Sequence, residues 1–386
     1  MSNKLGIYLH LPFCRQRCGY CDFYSTCGKT VFDMRRYVHA LERHIVLLTD
    51  YTPMEADTVY FGGGTPSVIG TVALESLIKT VKNRFSVTED AEITIEANPG
   101  EIYRDFMQKS VNPAKTLGLL RGAGFNRISF GVQSSDSAQL YMLGRRHTFE
   151  DAKNAVSAAR DAGFENISLD LMYALPGHTM ETWKKSISDV ISLEPEHISC
   201  YALRLEEGTP LYRLRNEQPE DDFQLLQYLY MCEVLRSAGY EQYEVSNFAR
   251  PGRHSRHNSK YWAHCDYFGF GAGAHSFIGG KRFYYAPDME SYEKKILTDD
   301  LTPDEIEIIG EDELFEEFVM LSLRTTKGLN EEEMIRRFSR GLSGAHEFIE
   351  RCVQERLVTF ENGVLKLTPE GFFVSNAVIV EILCLI

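Results

Sequence analysis

Basic residues are in short supply. The 386 residues include 41 Lys and Arg against 55 Asp and Glu, a formal net charge of −14. That balance argues against nucleic acid or an anionic membrane surface as the main partner. Long apolar runs are missing too, and no stretch reaches the ~20 residues of a spanning helix. The nearest, Phe372–Ile386, contains Asn376 and Glu381 and is expected to be a buried terminal helix. The opening Met1-Ser2-Asn3-Lys4, followed by a short apolar run ending at His10, lacks the pattern of a signal peptide, so a cytoplasmic location is expected. There is no short-period repeat and no low-complexity segment. The nine cysteines are odd in number and five stand alone, unlike a secreted disulfide scaffold. Three fall within eight residues, which suits one metal or cluster site in a reducing compartment.

What the chain does contain is a recurring strand and helix. Strand-like runs occupy Gly6–His10, Thr58–Phe61, Glu92–Ala97, Arg127–Gly131, Ile167–Met172 and His197–Ala202. Helix-like segments follow at Met34–Thr49, Val72–Phe85, Pro113–Ala123, Phe149–Ala162, Met180–Ser192 and Asp221–Ala238. Gly124, Gly163 and Gly239 stand just past helix ends, where a left-handed cap favours glycine. Such alternation predicts an α/β fold with parallel strands and crossover helices. Six units are fewer than a closed barrel needs. An open, partial (β/α)6 barrel is expected, with a doubly wound sheet as the alternative.

Each strand leads into an unusual signature. The first enters the cysteine segment and the second Gly62-Gly63-Gly64-Thr65-Pro66. The third ends Glu96-Ala97-Asn98-Pro99, and the fourth ends Gly131-Val132-Gln133. The fifth carries Asp170 and then Leu175-Pro176-Gly177, and the sixth gives Tyr201 and then Glu207-Gly208-Thr209-Pro210. Parallel α/β folds place their sites at the carboxyl ends of strands. Any one of these signatures could be an ordinary turn; six on one edge predict a shared site.

After Tyr240 the pattern changes. Tyr243–Phe248 resembles a strand, and Arg250–Tyr292 is rich in Gly, His and aromatics without helical period. Thr302–Glu317 holds eight acidic residues and no basic one, as expected of the solvated face of a linker and helix start. Helices are expected at Glu316–Arg324, Asn330–Phe338 and Gly344–Glu355. A hairpin follows, Val358–Phe360 and Val364–Leu367, turned by Glu361-Asn362-Gly363. Helices followed by a two-stranded wing suggest a small winged-helix-like module that packs on the first domain. The expected division is 1–240 for the partial barrel, 241–300 for an extension of it and 301–386 for the module.

Cys14, Cys18 and Cys21 form a C-x3-C-x2-C segment after the first strand. Soft sulfur ligands select an iron–sulfur cluster or zinc. Structural zinc needs a fourth protein ligand, for which Cys27 and His10 are the candidates. A 4Fe–4S cluster held by three thiolates instead leaves one iron open for chemistry.

This motif, with Tyr20 before its last cysteine, resembles the radical S-adenosylmethionine (SAM) enzymes. In that superfamily the open iron binds SAM, which is cleaved to methionine and a 5′-deoxyadenosyl radical. Nearly the whole chain, from about Leu5, is similar to the family of oxygen-independent coproporphyrinogen III oxidases and their HemW heme-chaperone relatives. The resemblance implies Cys14, Cys18 and Cys21 as cluster ligands. It implies Tyr8 and Tyr20 beside SAM and the cluster, and Gly63, Gly64 and Thr65 as the glycine loop at the SAM methionine. Glu96, Gln133, Arg145 and Asp170 fall at further SAM-contact positions; taken alone, Glu96 or Asp170 could be a helix cap or an ion-pair partner.

Three features favour a chaperone over an oxidase. Phe23 stands where the oxidases carry a fourth cysteine. Only 13 residues precede Cys14, where the oxidases have a long extension. His257-Asn258-Ser259-Lys260-Tyr261-Trp262 matches the HNxxYW signature associated with HemW proteins. A neutral imidazole commonly ligates heme iron, and Tyr261 and Trp262 offer flat apolar faces. Arg253, Arg256 and Lys260 could meet propionates. His257 could equally be a core histidine, and His254, His264 and His275 compete for any axial role. The resemblance therefore implies heme, an acceptor protein and an electron donor as partners. A heme-modifying radical SAM enzyme, such as an anaerobic heme-degrading methyltransferase, is the remaining alternative.

Overall fold

The computed structural model describes residues 4–48, 55–102 and 112–386. Contacts divide the chain into two units: Met1–Gln218 with Cys265–Ile308, and Pro219–His264 with Ile309–Ile386.

In the first unit six strands lie side by side in chain order, all parallel. They are β1 (Leu5–Leu11), β2 (Glu55–Gly63), β3 (Ser86–Ala97), β4 (Arg127–Gln133), β5 (Ile167–Tyr173) and β6 (His197–Ala202). Helices Val31–Leu47, Thr71–Arg84, Pro113–Ala123, Phe149–Asp161 and Met180–Ile191 connect them. The sequence places these elements to within three residues, except that β3 starts at Ser86, six before the expected Glu92; the expected end of the first helix, Thr49, lies outside the described residues. Thr30 and Thr148 start their helices with capping boxes to Asp33 and Asp151. Gly124 ends another at φ 113°, a left-handed conformation that a side chain would strain. β1 pairs with β2 on one side and with Tyr267–Phe270 on the other. It therefore does not close onto β6, and the six strands form an open, partial barrel.

Alternation along these strands sorts the residues onto two faces. Ile7, Leu9, Phe61, Ile95, Phe130 and Leu169 belong to the apolar face, and each is fully buried. Burying one such side chain contributes roughly 1.5–3 kcal/mol. Helices cover this face: Phe61 meets Phe125, and Tyr173 meets the buried Trp183 of Met180–Ile191. The opposite face is polar. Tyr8, Tyr60, Thr94 and Arg127 stand in one register row, and Glu96, Ser129, Ser168 and His197 in the next. These polar side chains interact with one another, as where Ser168 Oγ lies 2.8 Å from His197 Nδ1.

The segment Arg250–Tyr292 is not irregular. It holds the helix Arg256–Trp262, the β1 partner Tyr267–Phe270, strands His275–Ile278 and Lys281–Tyr284, and the start of the helix Met289–Leu297. The acidic run is also more than a linker, because Glu305–Ile308 pairs antiparallel with Lys281–Tyr284 at the sheet edge. The single strand expected at Tyr243–Phe248 is instead a small hairpin, Glu241–Gln242 with Asn247–Ala249. The contact units are discontinuous where the expected division was sequential. The chain leaves the first unit after Gln218, returns at Cys265 to pair with β1, and leaves again after Ile308.

The second unit contains Asp221–Ser237, the small hairpin and Arg256–Trp262, then the C-terminal module. In the module, helices Glu311–Leu323, Glu331–Phe338 and His346–Gln354 precede the hairpin Val358–Glu361 and Val364–Leu367. Asn362 (φ 51°) and Gly363 (φ 71°) are both left-handed, as a tight two-residue hairpin turn requires. Leu329–Asn330 adds a third strand, completing a winged-helix-like arrangement. The terminal helix Ser375–Leu385 buries one face through Val378, Ile379 and Ile382 and exposes Val380. Among the described residues no helix is long and apolar enough to cross a membrane.

Candidate cluster and ligand site

The cysteine segment leaves the end of β1 and is closed by its own backbone. Cys14 N–H donates to Thr26 C=O (2.9 Å), and Thr26 N–H returns to Pro12 C=O (2.5 Å). Gly64 N–H donates to Leu11 C=O, and Thr65 N–H to Phe13 C=O, which ties the loop to the end of β2. A Cβ on Gly64 would stand 2.7–2.9 Å from the Phe13 backbone, so only glycine permits this approach. Further along, Gly19 donates to Leu143 C=O and accepts from Leu211 N–H. Cys14, Cys18 and Cys21 are all free and half-buried. Burial pushes the Cys14 thiol up to about 12 and raises that of Cys21.

From Cys14 a line of polar groups crosses the strand ends. Cys14 Sγ lies 3.8 Å from Thr65 Oγ1. Thr65 Oγ1 accepts from Asn98 Nδ2 (2.9 Å), and Asn98 Oδ1 accepts from Arg145 Nη1 (2.6 Å). The Arg145 guanidinium lies 6.0 Å from the centre of the Tyr20 ring, which brings the line back to the cysteine loop. Gly131 leaves room for Arg145, since a Cβ there would come within 2.6 Å of Nη2.

Glu96 sits beside this line. Its Oε1 accepts from Tyr60 Oη (2.7 Å) and its Oε2 from Gly63 N–H (3.3 Å). Desolvation raises its carboxyl to about 7, against these two bonds, with the Asp170 charge adding to the rise. Asp170 accepts from Ser129 Oγ (3.2 Å), and burial raises its carboxyl too. Gln133 ends β4 at φ 67°, and Ala174 follows β5 at φ 57°. Two non-glycine residues in this conformation on one edge store strain, as binding sites often do.

Tyr8 stacks on Tyr60 with ring centres 6.1 Å apart. His10 fixes the Tyr8 hydroxyl. Its Nε2 lies 3.0 Å from Tyr24 C=O, which only accepts, so Nε2 carries the hydrogen. Nδ1 must then accept from Tyr8 Oη (3.0 Å). Burial lowers the His10 imidazole to about 4, so it is neutral at pH 7.

The fold thus brings Tyr8, Cys14, Cys18, Tyr20, Cys21, Gly63, Gly64, Thr65, Glu96, Gln133, Arg145 and Asp170 to one edge. Sequence reasoning passed over four contributors: His10 as an orienting group, Tyr60, Gly62 and Asn98. A Cβ on Gly62 would lie 2.9–3.2 Å from Tyr60, Tyr8 and Glu96. Asn98 was visible inside the Glu96-Ala97-Asn98-Pro99 signature, and Tyr60 as a polar ring within an apolar strand.

Among the described residues, no three His, Cys, Asp or Glu side chains gather around a point fit for one metal ion. Structural zinc needs its ligands at about 2.0–2.3 Å from one centre, and His10 has both ring nitrogens engaged. A cluster bound at its corners takes one thiolate per iron, so its ligands stand apart on a loop. Three soft donors on one tethered segment fit that group.

His257, Asn258, Tyr261 and Trp262 lie in the second unit on the helix Arg256–Trp262, capped by Ser255. His257 is buried, and its Nε2 lies 2.8 Å from Tyr261 Oη with the rings edge-to-face. Asn258, Tyr261 and Trp262 are half-buried. His254 stacks on Tyr243, and His264 lies 2.7 Å from Glu317. His275, in the first unit, stacks on Tyr284.

The family description "Radical SAM superfamily" matches residues 8–190, and "HemN C-terminal domain" matches residues 309–374. The "Heme chaperone HemW" of Bacillus subtilis is 33% identical over 380 residues, spanning 96% of this chain and 97% of that one. The chain belongs to the HemW family of radical SAM heme chaperones. Another HemW relative, from Escherichia coli, is 38% identical over 272 residues, 70% of this chain and 69% of that one. Among solved structures, the coproporphyrinogen III oxidase HemN from Escherichia coli matches with a TM-score of 0.83. It covers 99% of this chain and 89% of that chain at 22% identity, a likeness of fold.

Proposed function

We propose that the chain holds a 4Fe–4S cluster on Cys14, Cys18 and Cys21, binds SAM along the adjoining strand ends, and binds heme for delivery to an acceptor protein. The observation that carries the first two parts is the continuous line Cys14–Thr65–Asn98–Arg145–Tyr20. It joins the thiol loop to the strand ends that carry Glu96 and Asp170. A cluster held by Cys14, Cys18 and Cys21 would supply an electron to SAM bound beside it. The protein's own groups bind and orient. Ionised Glu96 accepts from ribose hydroxyls or an ammonium. The Gly63–Gly64 backbone allows close approach, and Tyr8, with its proton committed to His10, presents a lone pair. Gln133 and Arg145 supply polar contacts at the same edge.

Family membership supports the heme reading, and Asn258, Tyr261 and Trp262 are its candidate contacts. His257 Nε2 serves as an axial ligand only by leaving Tyr261. Phe23, 74% exposed, replaces the fourth cysteine of the oxidases, which favours delivery over coproporphyrinogen oxidation. A porphyrin-modifying activity is the second reading, favoured by the intact carboxylate and guanidinium groups at the SAM edge. The protein acts in the cytoplasm with a separate electron donor, and its net charge of −14 disfavours nucleic acid. Anaerobic heme titration of cluster-reconstituted protein, followed by visible absorbance, tests this reading. Saturation near one heme per chain, weakened by His257→Ala, supports it. Absent binding with an intact cluster overturns it and makes coproporphyrinogen the substrate to try.

A further inference from the structure

The polar face of the partial barrel contains a cation that the site so far leaves unused. Arg127 is only 2% exposed, among the largest fully buried side chains in the protein. Its Nε has no hydrogen-bond partner, and neither has Oγ1 of Thr94, its register neighbour on β3. A buried charge with one N–H left unsatisfied is costly unless opposite charge lies near. Two carboxylates stand on the next two rows. Glu96 is the next residue on the same face of β3 beyond Thr94, and it pairs in register with Ser129. Ser129, the next same-face residue of β4 beyond Arg127, donates to Asp170 on β5. Arg127 therefore lies one step beneath Glu96 and two beneath Asp170, with Ser129 between it and the latter.

We infer that Arg127 is a positioning residue whose buried guanidinium favours the charged form of Glu96 and Asp170 at the ligand edge. This deepens the reading of Glu96 as a SAM contact and rests on it. A carboxylate is an acceptor at both oxygens; once protonated it presents a donor and loses its attraction for an ammonium. Tyr60 and Gly63 already stabilise the Glu96 anion, but burial and Asp170 work against it, leaving the carboxyl near 7. The Arg127 charge is a further influence that lowers it, already part of that balance. The titratable and charged groups facing the acids are Tyr8 from β1, Tyr60 from β2, Asp170 from β5 and Arg127 from β4, with Arg145 acting on Asp170 from its loop. His10, behind Tyr8, is neutral. Of the two cations, Arg145 is engaged by Asn98.

The test is an infrared titration of the full chain, cluster reconstituted and SAM withheld. It follows the protonated carboxyl band that disappears in Glu96→Gln. The wild type should titrate near pH 7. Arg127→Met should move the midpoint up by about one pH unit or more, and Arg127→Lys should bring it back. A merely structural role would change stability without moving the midpoint. If Arg127→Met does not fold, Arg127→Gln, which keeps polar reach but not charge, decides the question. An unmoved midpoint in the folded neutral variant, or a wild-type midpoint above pH 9, overturns the inference. SAM binding is measured separately by equilibrium dialysis. Its failure in the wild type sinks the SAM reading and leaves the titration result standing.

Discussion

The strand-end site and the Arg256–Trp262 helix are built in opposite ways. The first draws side chains from five strands, the cysteine loop and the Arg145 loop, and bonds between elements such as Tyr60–Glu96, Asn98–Arg145 and Ser129–Asp170 hold them. The second is one seven-residue helix whose histidine is occupied by its own neighbour four residues on. A site spread over many strands is pre-organised, because moving one group breaks bonds to others. A site on one helical turn rearranges by rotating a single side chain. The first arrangement suits a cofactor that stays, the second a cargo that leaves.

Breaking the comparison at its strongest point should have the largest effect. Cys18→Ala should abolish the cluster and its broad visible absorbance while leaving heme titration intact. Joint loss of both would mean the two sites are not independent. Next in size, Glu96→Gln should weaken SAM binding by roughly 10- to 100-fold, the loss of charge-assisted bonds worth ~1.5–3 kcal/mol, with the cluster spectrum unchanged. Gly64→Ala forces a Cβ against the Phe13 backbone and should cost about 1–3 kcal/mol by denaturant titration, with poorer cluster retention. His257→Ala should reduce heme affinity by about tenfold and leave SAM affinity unchanged. Equal heme affinity in the variant would remove His257 from the site.

The smallest effect concerns pH and separates the two units. Burial lowers His10, His147 and His178 to about 4 and His44 to about 3, all in the first unit. Unfolded histidine binds its proton near 6.5, so between pH 6.5 and 4 the unfolded chain takes up protons that the folded unit refuses. Acidification there destabilises the first unit. Glu96 in the first unit and Glu244 in the second are raised to about 7 and have the opposite sign: each folded form binds its proton first, so stability is gained as pH falls from 7 toward 4.5. In the first unit the four strongly lowered histidines outweigh the raised carboxyls of Glu96, Glu101, Asp170 and Glu293, a net loss, while in the second the raised Glu244 is set against the lowered His254 alone. Trp183 lies in the first unit and Trp262 in the second. Melting followed by fluorescence in Trp262→Phe and Trp183→Phe should therefore show the first unit falling behind at pH 5. Parallel shifts would show that other groups govern the pH response.

The six-strand barrel was legible because its signals are long and local. Period-2 runs, 3.6-residue helices and glycine C-caps each recur, and the structure moves their ends by only a few residues. Tyr267–Phe270 and Arg256–Trp262 were not legible. Elements of four and seven residues are shorter than the window that reveals a period, and glycine and aromatics obscure them further. The return of the chain to β1 rests on a pairing across some 260 positions that no local pattern encodes. The cysteines and strand-end signatures announced the candidate site. Its connections did not announce themselves: Asn98 reads as a turn residue and Arg127 as an ordinary strand-start charge until register places them beside Thr65 and Thr94.

The sheet that contains β1 has at one edge Glu305-Ile306-Glu307-Ile308, an outer strand with both isoleucines exposed. Such an edge invites another copy to add a strand and grow aggregates. Here each isoleucine follows a glutamate, and Glu305 and Glu307 hydrogen-bond inward to Tyr284 and Arg282. An approaching copy of the same strand would set carboxylate against carboxylate. The acidic segment thus acts as a fence, and neutralising Glu305 and Glu307 would be expected to make the chain self-associate through this edge.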